Sequence, residues 1–208
     1  MQNPIFLLKS EILTVNSLFL RMRNFYFTLI NILLVLQLSG QIFSLPNGEN
    51  LRNIENKQIG FKQFTKNQAV AIVLFSSDCP LSQKYASILR GYSEQYTTVK
   101  FIAVFSKWDS KEAIEVFLKE YPLSMTAFQD PKNRFIHQLN AEATPEVFLF
   151  DKKHVLKYRG AIDNWFYALG KYRPEPTECY LENAINDYLN NKEIKLKKTN
   201  AIGCIIEK

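Results

Sequence analysis

Residues 69–75 read Ala-Val-Ala-Ile-Val-Leu-Phe, an apolar run with no polar break. A strand with one wet face alternates apolar and polar side chains, so a strand that is apolar at every position must be covered on both faces. The run therefore predicts a central strand in a sheet sandwiched between helices. It ends in Ser-Ser-Asp-Cys-Pro, and beyond that Tyr85, Ile88, Leu89 and Tyr92 recur at helical spacing. A lone cysteine, Cys79, thus stands at a strand-to-helix junction, with Pro80 at the first helical turn.

The rest of the chain extends the same alternation. Residues 99–106 form a second buried strand. Ser110 then caps a helix whose apolar face is Ile114, Phe117 and Leu118, and Pro122 ends it. A short helix follows, with Pro131 in its first turn. Residues 144–162 read as a β-hairpin around the charged turn Asp151–Lys153. An aromatic, proline-rich loop leads to a closing amphipathic helix that begins near Cys179. The order β-α-β-α-(α)-β-β-α gives an α/β fold. Strands separated by helices pair in parallel, and the hairpin adds antiparallel strands, so the central sheet is mixed and flanked by helices.

With 208 residues, 47% of them hydrophobic, the chain can bury one sizeable core. Its formal charge of +6 is spread among both signs and a lysine-rich stretch at 191–200. No basic stripe is interleaved with stacking aromatics, so nucleic acid is not an expected partner. Residues 1–46 differ in kind. Met22 and Arg23 precede an apolar run from Phe25 to Leu38, followed by the small residues Ser39, Gly40 and Ser44. That is the pattern of a secretory signal peptide, with Met22 as the expected true start. The apolar run is shorter than the ~20 residues that span a bilayer, so a membrane enters only if the segment stays uncleaved. The expected organisation is an N-terminal extension and signal peptide over 1–46, a redox domain over 47–192, and a tail over 193–208 that carries Cys204. Extracytoplasmic, periplasmic placement makes the three cysteines redox candidates before metal ligands.

The element order, with its junction cysteine, is similar to the thioredoxin fold. Within that fold the chain resembles the extracytoplasmic redoxins, the TlpA-like and alkyl hydroperoxide reductase–thiol-specific antioxidant group, over roughly residues 60–190. Three stretches carry the likeness: Phe-Ser-Ser-Asp-Cys-Pro-Leu-Ser at 75–82, Ala-Thr-Pro-Glu-Val-Phe-Leu-Phe-Asp at 143–151, and the hairpin that ends in Gly160. The resemblance implies thiol–disulfide exchange on protein thiols or disulfides without a cofactor. It also implies a cis bond before Pro145, with Pro145 and the Thr144 backbone as a substrate-facing wall beside Pro80 and Cys79. It further implies a Gly-Cys tail like Gly203-Cys204.

The departures concern catalysis. Ser82 stands where the second cysteine of the family's Cys-x-x-Cys pair belongs, and Val73 stands where thioredoxins keep a buried acid. Exchange confined to residues 79–82 is therefore excluded. Cys79 still gains from the helix N-terminus, which favours thiolate, while Asp78 opposes it and Lys84 offsets Asp78 in part. The Ser82 hydroxyl is a candidate donor to the thiolate. Three outcomes stay open for Cys79: attack on a disulfide with a remote resolving cysteine, attack on a peroxide, or no catalysis in a binding module. The peroxidase reading has half a motif, because Ser76 occupies the position of its threonine but Ile72 replaces its proline. Cys204, on a tail read as mobile, is the candidate resolver. Cys179 is the alternative, and a structural Cys179–Cys204 disulfide is the competing use of both. A single junction cysteine does not make a metal site. His137 and His154 read as ordinary packed or solvated histidines.

Overall fold

The computed structural model describes residues 43–54, 61 and 65–207. The expected signal segment, including Met22, lies almost wholly outside them. A six-stranded sheet has the order β1-β4-β3-β2-β6-β7, with β1 Arg52–Asn53, β2 Ala69–Phe75, β3 Val99–Phe105, β4 Thr126–Gln129, β6 Glu146–Phe150 and β7 Leu156–Gly160. β2, β3 and β4 run parallel, whereas β6 is antiparallel to both β2 and β7. This is the mixed sheet of a thioredoxin fold.

All seven residues of β2 are buried, for the reason the sequence suggested. Ala71, Val73 and Phe75 point into one cluster, packed by α1 (Pro80–Gln95), α2 (Lys111–Glu120) and α4 (Tyr180–Leu189). Val70, Ile72 and Leu74 point into a second cluster on the other face, against α3 (Arg134–Gln138) and Phe61. Alternate side chains thus reach opposite cores, which forbids polar residues anywhere in the strand. Ser110 caps α2 as expected, its hydroxyl accepting from the Ala113 N–H at 3.1 Å. The short helix starts later than Pro131 suggested. Asn133 adopts a left-handed conformation ahead of it, and Pro131 lies in the preceding turn.

The sequence pattern passed over the shortest strands. β1, β4 and the pairs β5 (Ala143–Thr144) with β10 (Cys204–Ile205) and β8 (Phe166–Ala168) with β9 (Lys171–Tyr172) have two to four residues each. Such segments are too brief for a period to register. The consequential one is β10, because the tail is not loose. The Arg159 N–H donates to the Lys197 carbonyl at 3.1 Å and the Thr199 N–H returns to Arg159 at 3.0 Å. The Thr199 hydroxyl meets the Tyr158 hydroxyl at 2.6 Å and accepts from the Ala161 N–H at 2.9 Å. Gly160 makes room for this, with φ +131° and a Cβ position already filled by Thr199.

The turn that enters β6 is held from below. Glu146 is buried, and its carboxylate accepts from Arg159 at 2.7 Å and from the Glu142 N–H at 2.8 Å. Arg159 also donates to the Asn140 carbonyl at 2.9 Å. Glu146→Ala removes the carboxylate partner of the half-buried Arg159 guanidinium, and the expected loss is about 2 kcal/mol, read as a lower urea midpoint.

Candidate active site

Cys79 is the N-cap residue of α1, delivered there by the end of β2. The loop between them is tied down by Asp109, a buried residue that the sequence reading missed. One of its carboxylate oxygens accepts from the Ser77 N–H at 2.6 Å and the Ser77 hydroxyl at 2.7 Å, and the other from Ser106 N–H and hydroxyl at 3.1 and 2.8 Å. A single carboxylate therefore joins the β2–α1 and β3–α2 loops. The available signal was an acid just ahead of the Ser110 cap, which reads equally well as an ordinary turn residue. The Ser76 hydroxyl is also given to Asp109, at 3.3 Å, so the half-motif of a peroxide site is engaged elsewhere.

Thr144 and Pro145 lie opposite Cys79, joined by a cis peptide bond. The Cys79 thiol donates to the Thr144 carbonyl at 3.1 Å. On the other edge of Thr144 lies the tail, with Cys204 paired antiparallel to Thr144 and Ile205 to Ala143. This pairing brings the Cys204 Sγ to 2.6 Å from the Cys79 Sγ. Two sulfurs 125 residues apart thus meet within reach of a disulfide bond of ~2.05 Å. Both cysteines are thiols in this structure. Cys179, the N-cap residue of α4, is half-buried and is not part of this constellation.

The two sulfurs hold protons differently. Burial raises the Cys79 value, but donors overcome it: the Cys204 S–H, the Ser82 and Cys204 backbone N–H groups, and the Thr144 side chain. The net shift is downward, toward thiolate. Burial, the hydrogen bond given to Cys79 and the charge of its thiolate push Cys204 up to about 12. One sulfur of the pair is thus inclined to thiolate while the other keeps its proton, as expected of two coupled groups. Asp78 and Lys84, which the sequence suggested as opposing charges, are both exposed and are not among the causes of the shift. Ser82 is buried and acts on Cys79 through its backbone N–H rather than its side chain; its hydroxyl oxygen accepts from the Ser76 N–H at 3.2 Å.

Beside the sulfurs opens a cleft of about 570 Å³. Pro80 and Lys84 from α1 and the aromatic β8–β9 hairpin line it, and Cys204 forms part of its wall. Cys79 does not line it and is 1% exposed. No cluster of metal-ligating side chains occurs among the described residues.

Residues 41–159 match the family model of the AhpC/TSA family. The chain belongs to this family. No curated protein matches it, but solved structures share its fold. An uncharacterized conserved protein from Geobacillus kaustophilus superposes with a TM-score of 0.70 at 20% identity, over 80% of this chain and 91% of its own. A hypothetical protein from Sinorhizobium meliloti gives 0.64 at 21% identity, over 75% and 88%. A secreted Mycobacterium tuberculosis disulfide oxidoreductase homologous to Escherichia coli DsbE gives 0.50 at 12% identity, over 65% and 92%. At these identities the likeness is one of fold.

Two measurements check the site. Because the Cys79 value is depressed in the folded chain, its contribution to the stability of the reduced protein is present above the ordinary cysteine range. It is lost as pH falls through the lowered value. Alkylation of Cys79 followed against pH should show a midpoint below that of a free cysteine, and Cys204→Ala should raise it by removing a donor. Separately, a Cβ on Gly203 would overlap the Thr144 carbonyl. Gly203→Val should therefore keep β10 off β5 and prevent oxidative linkage of Cys79 to Cys204, read by mass spectrometry.

Proposed function

We propose that this AhpC/TSA-family protein performs thiol–disulfide exchange with Cys79 as nucleophile and Cys204 as the resolving cysteine. The observation that carries the reading is the approach of the two sulfurs to 2.6 Å, with Cys79 inclined to thiolate and Cys204 not. Ser82 cannot resolve anything, and the tail brings the missing sulfur to the site from the opposite end of the domain. Pro145 and Thr144 form the wall that orients the reacting groups, Pro80 starts the helix that stabilises the thiolate, and the Ser82 N–H supplies one of its hydrogen bonds.

The chemistry balances in two steps. The Cys79 thiolate attacks one sulfur of a partner disulfide, forms a mixed disulfide, and releases the other partner sulfur as thiolate, which takes a proton. Cys204, on losing its own proton, attacks the Cys79 sulfur and expels the second partner thiolate. The partner leaves reduced and the chain holds a Cys79–Cys204 disulfide. The oxidised pair then passes its disulfide on to a partner dithiol by the same kind of exchange. Partner protein thiols or disulfides are the substrates, and no cofactor enters either step.

Residues 1–46 fit a secretion signal that begins at Met22, with the redox domain over 47–192 and the tail over 193–208. Export to an extracytoplasmic, periplasmic compartment suits a protein that must hold a disulfide. The M. tuberculosis neighbour is described as secreted, in keeping with that reading. No helix among the described residues is long and apolar enough to cross a membrane.

Peptide mapping after mild oxidation tests the assignment. A Cys79–Cys204 disulfide with Cys179 free is expected. A Cys179–Cys204 bridge would make the tail structural and remove the resolver. In addition, Cys204→Ala should accumulate the mixed disulfide on Cys79 and stop turnover, while Cys79→Ala should form no mixed disulfide with a partner disulfide.

A further inference from the structure

The aromatic loop that interrupts the fold after the last sheet strand has no part in the exchange just described, yet it is built with care. Phe166–Ala168 and Lys171–Tyr172 form a hairpin turning at Gly170, whose φ is +71°. Its base is fixed by Asp163, which is buried and accepts hydrogen bonds from the Tyr85 hydroxyl and the Trp165 N–H. The Trp165 indole donates to the Arg173 carbonyl at 2.9 Å, and its ring packs on Tyr85 and Phe166. On this rigid footing the hairpin holds Leu169 and Tyr172 in solvent, 60% and 61% exposed. Ile205, next to Cys204, is 84% exposed. Large apolar side chains left out on a braced element mark a contact surface.

That surface is continuous with the reactive sulfurs. Leu81, Trp165, Phe166, Leu169 and Tyr172 give the cleft an apolar wall, and its size is that of a ligand site. The sulfur it presents is Cys204, not the buried Cys79. The other approach to Cys79, along the free edge of Thr144, is occupied by the tail strand itself. An occupant of the cleft that reacts with Cys204 must bring a sulfur, and one that fills the cleft must bring apolar bulk.

We propose that this cleft receives a polypeptide thiol flanked by apolar side chains, and that this thiol reacts with the oxidised chain at Cys204. The inference rests on the Cys79–Cys204 exchange reading and deepens it by naming the partner that meets the oxidised pair. The incoming thiolate forms a bond to the Cys204 Sγ, the Cys79–Cys204 bond breaks, and Cys79 departs as thiolate. A second thiol of the same polypeptide, once deprotonated, then attacks the partner sulfur of the mixed disulfide. Cys204 leaves and takes a proton, the polypeptide holds the disulfide, and the chain carries two reduced sulfurs. The Ser82 and Cys204 backbone N–H groups, which stay in place when the Cys204 sulfur is in a disulfide, favour Cys79 as the leaving thiolate and direct attack to Cys204. Lys84 at the cleft adds a positive charge that suits an incoming thiolate.

The test uses the full chain, oxidised and checked by mass spectrometry for the Cys79–Cys204 bond. Two short dithiol peptides serve as probes, one with phenylalanine and one with serine beside each cysteine. The phenylalanine peptide should reduce the chain about tenfold faster, the effect of burying one apolar side chain. Acid quenching and peptide mapping should find the mixed disulfide on Cys204. Leu169→Ser should bring the ratio of the two rates towards one. Equal rates for the two peptides, or a mixed disulfide on Cys79, would overturn the inference while leaving the exchange reading intact. Failure of the Cys79–Cys204 bond to form would overturn both. Crosslinks from the hairpin to residues 1–42 or to a second copy, found before any peptide is added, would assign the cleft to those occupants and overturn it as well.

Discussion

The pairing of the tail strand with Thr144 is the contact on which the proposed chemistry of this protein depends. Without it the junction cysteine has no second sulfur, because position 82 is serine. With it, a residue near the end of the chain arrives at the point where the sheet, the active-site helix and the proline turn converge. Several features serve this one contact. Gly203 leaves space for the Thr144 carbonyl, Gly160 leaves space for Thr199, and Thr199 fastens the tail to β7 before it reaches β5. Arg159 takes part twice, through its backbone to the tail and through its guanidinium to Glu146 beneath the proline turn.

The electrostatics follow from the same placement. A thiol buried at a helix start is drawn both ways: desolvation favours the neutral form, and nearby donors favour the ion. For Cys79 the donors prevail because two of them are backbone N–H groups held by α1 and β10, and a third is the neighbouring thiol. Cys204 has no such company, and the negative sulfur beside it keeps its proton in place. The asymmetry on which the proposed roles of the two sulfurs rest is thus a product of geometry, since both residues are the same amino acid.

The active-site loop and the aromatic hairpin are both braced from the core. Asp109 ties Ser76 and Ser77 to Ser106 and so fixes the approach to Cys79. Asp163 does the corresponding work for Trp165 through Tyr85. Each is a buried acid that accepts hydrogen bonds from the elements it joins, which is how a polar group can lie in a core without destabilising it.

Much of the fold was legible in the sequence. The unbroken apolar run at 69–75 required helices on both faces of the sheet, the helical spacing after Pro80 located α1, Ser110 marked the start of α2, and the charged turn at 151–153 marked the β6–β7 hairpin. These are local signals, carried by the period of burial and by capping chemistry. Cys79 and Pro80 stood out for the same reason, as residues of distinctive type at an element boundary, whereas Thr144, Pro145 and the Gly203-Cys204 tail were singled out by the resemblance to the extracytoplasmic redoxins. What the sequence could not determine was which sulfur meets Cys79. Cys179 and Cys204 both lie far beyond the reach of any local signal from Cys79, and two-residue strands leave no periodic trace. Their partnership is decided by backbone pairing between segments some sixty residues apart and by space left at two glycines. Asp109 was hidden for a related reason, since its role exists only once two loops have been folded against each other. Local chemistry determined the elements, and long-range packing alone brought the two sulfurs together.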